Sequence, residues 1–317
     1  MKKIAFFIPL LISLIASSQK TEKFYDYNWK ECDSHSACYY SLIEKKDSGW
    51  LRSDYFVNAK KLQMQGLYKD EECKIQNGTF YYFHVNGVLS QSGRYVDTKK
   101  EGLWISQYRN GMSKDSTWYK NGKPFGISMH WHPNGYTSDS VNIGEDGRAV
   151  WVSWFDNGVL SSAGYRMNDK QTGKWKYYHG NGNISAIEVY NDGVLKSREY
   201  YDESGNLLSD TTNKDRQASF PGGEKAWGKF LLSQVFFPSQ YKFTDDGSAT
   251  VIISMIVDEQ GNLINPELEI PLQSSFDNLA LRGLKKSPKW LPAIDHNRKV
   301  KFGVRQPFTF TQETTAY

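Results

Sequence analysis

The feature that most constrains this fold is a row of turn dipeptides through the middle of the chain. Asn-Gly or Asp-Gly pairs end at the following glycines: Gly87, Gly111, Gly122, Gly135, Gly147, Gly158, Gly182 and Gly193. Successive glycines are 24, 11, 13, 12, 11, 24 and 11 residues apart, so one step is about 12 residues. Asn-Gly accepts positive φ at both central positions of a type I′ hairpin turn. The row therefore predicts short antiparallel strands joined by tight turns.

A longer internal repeat supports the same prediction. The segment Asn86-Gly87-Val88-Leu89-Ser90 returns 71 residues later, beginning at Asn157, and Trp104 returns as Trp175. A less regular earlier copy places the start of the repeats near residue 50, and they end near residue 210. A lone hairpin is marginal in water, whereas stacked hairpins pair their edges. We therefore expect residues 50–210 to form an array of antiparallel β-hairpins.

Aromatic triplets give this array a family resemblance. The triplets are Gly78-Thr79-Phe80, Gly102-Leu103-Trp104 and Gly173-Lys174-Trp175, and aromatic-x-x-Asn-Gly turns accompany them. On these residues, positions 50–208 resemble MORN repeats, in the variant form of bacterial YwqK-type antitoxin-like proteins. The resemblance implies a binding scaffold that contacts membranes or protein partners.

The last hundred residues follow a different pattern. A polar stretch at residues 211–219 predicts a linker. Helical spacing of apolar residues predicts two amphipathic helices, with Ser274 or Ser275 as the cap of the second; these residues are Trp227, Phe230, Leu231 and Val235, then Phe276, Leu279, Ala280 and Leu284. Alternation predicts strands at 249–257, 263–270 and 299–310. The fold class is therefore mainly β, with a hairpin array followed by a small α+β domain at 220–312.

This second domain also resembles a known family. The motifs are Phe237-Pro238, the strand ending at Asp258-x-x-Gly261, Leu279-Ala280-Leu281, Trp290-x-Pro292 and a closing strand to Phe310. Their order and spacing resemble the C-terminal domain of TonB. That family grips outer-membrane transporters in the periplasm, because a transporter peptide adds as a strand beside the domain's last strand.

The resemblance carries a partner-binding prediction onto the closing strand. Val300, Phe302 and Val304 would face the core, and the outward residues Lys299, Lys301 and Arg305, with Phe308 further along, are the candidate partner-binding residues. Charges on such a strand can instead guard an exposed edge against pairing. Both readings leave the strand at the edge of its sheet.

The first residues indicate export. Met1-Lys2-Lys3 is basic, residues 4–16 are apolar, and Ala16-Ser17-Ser18 offers small residues for cleavage before Gln19. We therefore predict a signal peptide at residues 1–18 and no integral membrane span after its removal. The protein would then lie in the periplasm or on the outer surface of a Gram-negative cell.

Cysteine usage fits an oxidising compartment. Residues 19–49 contain Cys32 and Cys38, and Cys73 lies in the first repeats. The sequence predicts a possible disulfide between Cys32 and Cys38, the closest pair, and leaves open a bond from Cys73 to either one.

Composition and motif searches exclude several functions. The net charge of +4 comes from 39 basic and 35 acidic residues, which does not indicate a nucleic-acid partner. Sequence motifs of nucleophilic, phosphate-binding or zinc-dependent enzymes do not occur. We therefore expect no catalytic residues, cofactor or metal. His130 and His132, with Asp139, form the best metal candidate, although a solvated repeat face is the preferred explanation.

The function predicted from these features is non-enzymatic protein binding in the cell envelope. The main alternative is an energy-transducing or adaptor component of TonB-dependent outer-membrane transport, which needs a retained membrane anchor or a partner that supplies one. The second alternative is glycan binding, since aromatic rings on a sheet can stack on sugars as well as on one another. The tail, residues 313–317, carries no prediction.

Overall fold

A computed structural model describes residues 20–238, 240–242 and 248–312. The predicted signal peptide and the tail lie outside the described residues. The described chain is mainly β, with 55% strand, a 16-stranded sheet, a 3-stranded sheet and a small 2-stranded ribbon. The predicted fold class is confirmed.

The large sheet is an antiparallel meander, because its strands are neighbours in chain order. They are β1 (Lys20–Tyr25), β2 (Tyr39–Lys46), β3 (Gly49–Phe56), β4 (Lys61–Tyr68), β5 (Gln76–Phe83), β6 (Leu89–Val96), β7 (Lys99–Gln107), β8 (Ser113–Lys120), β9 (Lys123–Pro124), β10 (Gly126–Trp131), β11 (Thr137–Ile143), β12 (Arg148–Trp154), β13 (Leu160–Met167), β14 (Lys170–Tyr178), β15 (Ile184–Asn191) and β16 (Val194–Tyr200). Only β9 departs from the path, since it pairs with β8 alone. The sheet includes residues 20–49, which the sequence had placed before the array.

Two kinds of turn join these strands. At Asn121-Gly122 both φ angles are positive, 52° and 81°, as type I′ geometry requires. At Asn86-Gly87 only the glycine has positive φ, and the loop closes with bonds from the Gly87 N–H to the His84 carbonyl and from the His84 N–H to the Val88 carbonyl. That is a three-residue loop with a bulge glycine. The type I′ prediction is therefore correct for the first kind and wrong for the second.

The bulge turns that contain Asn86, Asn110, Asn134, Asn157 and Asn181 lie side by side along one edge of the sheet, whereas the Gly144–Arg148 bulge turn lies on the opposite edge. Each turn asparagine donates its side-chain amide to a backbone carbonyl about 23 residues on: Asn86 to Arg109, Asn110 to Pro133, Asn134 to Asp156, Asn157 to Gly180 and Asn181 to Glu203, at 2.8, 3.2, 2.7, 3.3 and 2.8 Å. We call this row the bulge-turn edge. Its ladder fixes each turn against the next.

Buried rings fill one face of the array, the inner face. Phe80, Trp104 and Trp175 are 0, 1 and 3% exposed. Trp104 meets Tyr95 edge-on, with ring centroids 4.8 Å apart, and its indole N–H donates to the Arg94 carbonyl at 3.1 Å. Such pairs across strands stabilise a sheet. The opposite face remains open, and Tyr81 and Trp118 are exposed there.

The C-terminal domain packs helices on one face of its sheet. Its elements are α1 (Gly223–Gln234), β17 (Ser248–Val257), β18 (Leu263–Ile270), α2 (Ser274–Lys285), β19 (Ala293–Asp295), β20 (Arg298–Val300) and β21 (Phe302–Thr311). The order of the 3-stranded sheet is β18-β17-β21. Alternate residues of β17, including Val251 and Ile253, join Trp227 and Phe276 in the core. Both predicted helices and all three strands of this sheet are present.

Two local predictions in this domain need correction. The N-cap of α2 is Gln273, not Ser274 or Ser275, and Asp277 instead accepts the Leu272 N–H at 2.9 Å. The predicted strand over 299–310 is divided, because Arg298–Val300 pairs with β19 while β21 begins at Phe302 and pairs with β17. Lys299 and Lys301 therefore do not belong to the edge strand.

No helix of the described residues is both long enough and apolar enough to cross a membrane.

Candidate functional site: the junction of the hairpin array and the C-terminal domain

The C-terminal domain packs against the inner face of the array through apolar contacts. Even-numbered residues of β17 point away from the helices, and Ile252, together with Ile270 of β18, is buried against Tyr39 and Phe56 of the inner face. Ile252 is fully buried. Burial of side chains of this size supplies a large part of any interface energy. The array and the domain are therefore in firm contact near the first hairpins.

A second contact lies at the opposite end of the array, where the turn between β19 and β20 meets the inner face. The ring of His296 stacks on Tyr177 with centroids 3.5 Å apart and planes at 12°. The neighbouring Asn297 donates its amide to the Tyr201 carbonyl at 3.0 Å. His296 and Asn297 have φ of 49° and 61°, so a two-residue turn projects both side chains into the array.

Arg298 fastens this hairpin to the bulge-turn edge. Its guanidinium donates to the carbonyls of Ser161 and Tyr178 and lies over the rings of Phe155 and Tyr177. Burial lowers the pKa of the guanidinium, partly offset by Asp295 and Tyr177, but an arginine stays charged in proteins. The bound carbonyls and ring faces replace the water that the cation loses.

Between the two contacts lies a cavity of about 910 Å³, which we call the interdomain cleft. One wall is the bulge-turn edge, with His84, Tyr108 and Arg109, and the other is the array-facing side of β17, β18 and β21. Its volume lies within the range of small-ligand sites. Rings, charged groups and backbone of an edge strand line the same recess.

Ion pairs border the interdomain cleft. Arg109 Nε lies 3.0 Å from Glu267 Oε2, and its Nη1 donates to the Leu268 carbonyl of β18. Arg305 Nε donates to Glu269 Oε2 at 2.6 Å. Burial lowers the pKa of His84, whose Nε2 is 2.9 Å from the Gln107 carbonyl. The cleft is thus close to charge balance.

The edges of the 3-stranded sheet differ. On β18 the Leu268 carbonyl is taken by Arg109 from the array. On β21 no strand of the described residues pairs with the edge away from β17. Pro307 has no N–H to offer there, and its carbonyl accepts the side-chain amide of Gln306 at 2.6 Å. Proline is typical of an open edge strand, so β21 presents a free edge with one guarded point.

The predicted partner-binding residues occupy different environments. Lys301 donates to Asp156 on the bulge-turn edge and thereby holds the pKa of that carboxyl below its usual range. Lys299 is exposed in β20, and Arg305 faces the interdomain cleft. Phe308 is 3% exposed within the helix-side core, so its side chain belongs to the core and does not reach a surface. Phe302 and Val304 pack against the core as expected.

The candidate metal ligands His130 and His132 are separated by a β-bulge between His130 and Trp131. His130 Nδ1 lies 2.5 Å from Asp139 Oδ1, and this hydrogen bond raises the imidazole pKa against the lowering effect of burial. His132 Nε2 instead contacts the Trp154 carbonyl at 2.9 Å. His179 is buried and contacts the Tyr201 carbonyl in the same way. These rings help to join neighbouring turns.

The cysteines of the described chain are free thiols. The Cys32 N–H donates to the Phe24 carbonyl and the Cys38 N–H to the adjacent Tyr25 carbonyl, so both residues line up beside β1. Cys38 and Cys73 are buried. Pairing of Cys32 with Cys38 stays a prediction.

Sequence reasoning missed the side chains that hold the junction together: Arg109, Glu188, His296 and Arg298. They are isolated polar residues without a motif around them. A search with protein-family models finds no match to this chain, and no curated protein matches it.

Proposed function

We propose that this protein is an exported, non-enzymatic binding protein of the Gram-negative cell envelope that captures an extended protein segment at β21. The observation that carries the proposal is the outer edge of β21 beside the interdomain cleft, with which no strand among residues 20–238, 240–242 and 248–312 pairs. Strand addition supplies affinity through backbone hydrogen bonds and specificity through alternate side chains. The resemblance of the C-terminal domain to that of TonB supports the same mode.

The phase of β21 defines which backbone groups are free. Residues opposite each other in an antiparallel pair alternate between bonded and non-bonded pairs. Because Pro307 has no N–H to donate to β17, its backbone groups point away from β17. The N–H of Thr309, two residues further along, points in the same direction. Thr309 and Thr311 are exposed. An incoming strand would therefore bond near Thr309 and Thr311, past the proline.

In-cell photo-crosslinking tests this proposal. A photoreactive residue replaces Thr311 at the open edge or, as control, Lys174, which is exposed on the array. We expect a discrete protein adduct at position 311 that is absent at 174. Thr309→Pro should abolish the adduct because it removes the outward N–H, whereas Thr309→Ala should keep it. An adduct that survives Thr309→Pro, or its absence at 311, contradicts strand addition.

The identity of the crosslinked protein decides between the alternatives. A periplasmic segment of an outer-membrane transporter would favour participation in TonB-dependent transport. Fractionation with mass spectrometry of the N-terminus tests export separately. A periplasmic product starting near Gln19 supports the proposal, and an inner-membrane product retaining Met1 favours the energy-transducing alternative.

A further inference from the structure

A cluster at the junction has the composition of a metal site. Asp215 of the linker, Asp295 of β19 and His296 of the following turn place one carboxylate or imidazole atom each within 4.8 Å of one another. Asp215 Oδ1 accepts the His296 backbone N–H at 2.9 Å, and His296 Nε2 lies 3.5 Å from Asp295 Oδ1. Asp215 and Asp295 thus approach His296 from separate segments, Asp215 at the backbone N–H and Asp295 at the ring Nε2.

A buried carboxylate behind the imidazole is an independent indication. Glu188 of β15 is fully buried, and its Oε2 lies 2.8 Å from Nδ1 of His296, the nitrogen that faces away from the cluster. Tyr190 donates its hydroxyl to the same carboxylate at 2.5 Å. Metal-bound histidines almost always give their other ring N–H to a carboxylate or carbonyl, which fixes the tautomer. With the ring proton on Nδ1 beside Glu188, the lone pair is on Nε2, which lies 3.5 Å from Asp295 Oδ1.

The charges around the cluster favour a cation. Arg198 Nε lies 3.4 Å from Glu188 Oε1 and balances that carboxylate. Arg298 donates to the Ser161 and Tyr178 carbonyls and interacts electrostatically with Asp295. Lys214, next to Asp215, pairs with Asp210, so Asp215 forms no ion pair among the described residues.

We propose that His296 Nε2, Asp215 and Asp295 bind a divalent transition-metal ion, with Glu188 as the residue that orients the imidazole. Imidazole nitrogen with carboxylate oxygen is a donor set that Zn²⁺ accepts at about 2.0 to 2.2 Å. At such bond lengths two ligand atoms of a tetrahedral ion are about 3.4 Å apart. The 3.5 Å between His296 Nε2 and Asp295 Oδ1 already fits, whereas the Asp215 carboxylate, within 4.8 Å of both, would have to move closer to bind the ion.

The ion would join parts of the chain that are otherwise held by separate contacts. Asp215 belongs to the linker, His296 projects from the C-terminal domain, and Glu188 belongs to the array. Binding would therefore stabilise the docked arrangement by mass action. The competing explanation is a protonated His296 that satisfies the same carboxylates without an ion.

Calorimetric titration of the full, chelator-treated chain with Zn²⁺ tests the proposal. We expect one site whose affinity falls at least 10-fold in the double variant Asp215→Asn with Asp295→Asn, because both oxygen ligands lose their charge. Glu188→Gln should weaken binding about 10- to 100-fold, as other outer-shell substitutions do. Asp210→Asn, directly before the linker and paired with Lys214, should bind like the wild type.

Co²⁺ in place of Zn²⁺ separates this site from the cysteines. Bound Co²⁺ should give weak visible bands without the intense thiolate charge-transfer absorption, and the bands should disappear in the double aspartate variant. Asp215 also accepts the His296 N–H, so loss of binding in the double variant counts only if its circular dichroism spectrum matches that of the wild type. Absence of Zn²⁺ binding by the wild type, thiolate absorption, or unchanged affinity in the double variant overturns the proposal in favour of a protonated histidine.

Discussion

The indole of Trp175 lies directly on Gly164 of the neighbouring strand, so that a Cβ placed on Gly164 would come within 2.2 Å of the ring. Trp175 also donates its indole N–H to the Tyr165 carbonyl at 2.9 Å, which prevents the ring from sliding away. The same relationship joins Trp104 to Gly93, at 2.1 Å. Glycine on one strand and an aromatic residue on the next thus form the repeating unit of the inner face.

We predict that Gly164→Ala destabilises the protein by about 1 to 3 kcal/mol, because an added methyl group must displace a ring in a packed site. Gly180→Ala is the matched control, since nothing lies within 4 Å of its added Cβ and its φ is not positive. That substitution should be neutral or stabilising by about 0.4 to 1 kcal/mol. Urea unfolding followed by tryptophan fluorescence measures both, and equal effects would contradict the prediction.

The ladder along the bulge-turn edge leads to a second prediction. Asn134 donates to the Asp156 carbonyl at 2.7 Å and accepts the Tyr136 N–H at 3.2 Å. Asn134→Asp keeps the acceptor and removes the donor, so we expect a loss of about 1 to 2 kcal/mol. Asn142→Asp, at an exposed strand position, should change stability by less than about 0.5 kcal/mol. A loss of similar size in both variants, measured by thermal unfolding, would show that charge and not the ladder matters.

The array could be predicted because its information is local. An Asn-Gly dipeptide and an aromatic residue a few positions away define each turn and its flanking strands. The choice between turn types was not predictable from the dipeptide, since Asn86-Gly87 and Asn121-Gly122 are identical in sequence and differ in geometry. The edge at which the chain reverses does not decide the turn type either, because Asp146-Gly147 forms a bulge turn on the same edge as Asn121-Gly122.

The junction could not be predicted because its contacts are distant in sequence. Arg298 meets the Tyr178 carbonyl across 120 residues, and Arg298 belongs to no motif. Phe308 illustrates the opposite error, since the resemblance placed it at a partner surface while alternation with Phe310 along β21 puts both into the core. The alternation of apolar residues predicts on which face of a strand a side chain lies, but it does not predict which distant residue packs against that face.

Docking of the C-terminal domain should depend on Arg298. Arg298→Lys keeps the charge but cannot donate simultaneously to the Ser161 and Tyr178 carbonyls in the same planar geometry. We expect thermolysin to cleave the linker about 10-fold faster, which corresponds to about 1.4 kcal/mol of weaker docking. Lys299→Ala, at an exposed neighbouring position, should leave cleavage unchanged. Equal cleavage rates for the two variants would mean that Arg298 does not hold the domain.

The environment of the Glu188 carboxyl predicts that the stability of the protein depends on pH. Burial raises the pKa of its carboxyl, but His296, Tyr190 and Arg198 together hold it below its usual range. The folded pKa therefore lies below the unfolded value of about 4.3. The stabilisation is fully present above the unfolded pKa and is lost as pH falls through the folded pKa.

We accordingly expect Glu188→Gln to lower the free energy of unfolding at pH 7 by about 3 kcal/mol, because it breaks a buried charge cluster. The difference from the wild type should shrink progressively below about pH 4.3. Denaturant unfolding in the presence of a chelator, repeated across this range, measures it without a bound metal. A difference that stays constant with pH would show that Glu188 is not ionised in the folded protein.

The final prediction concerns the cysteines. Burial, with smaller contributions from Asp26 and Cys32, raises the pKa of the Cys38 thiol to about 11, and burial raises that of Cys73 to about 11 as well. The thiolate is the reactive species, so neither residue should react with iodoacetamide at neutral pH while the protein is folded.

A bond between Cys32 and Cys38 must then form before the first strands close around Cys38. Non-reducing peptide mapping of protein recovered from its native cell should show the Cys32–Cys38 link with Cys73 reduced, whereas a link to Cys73 would require the segment around β1 to pack differently.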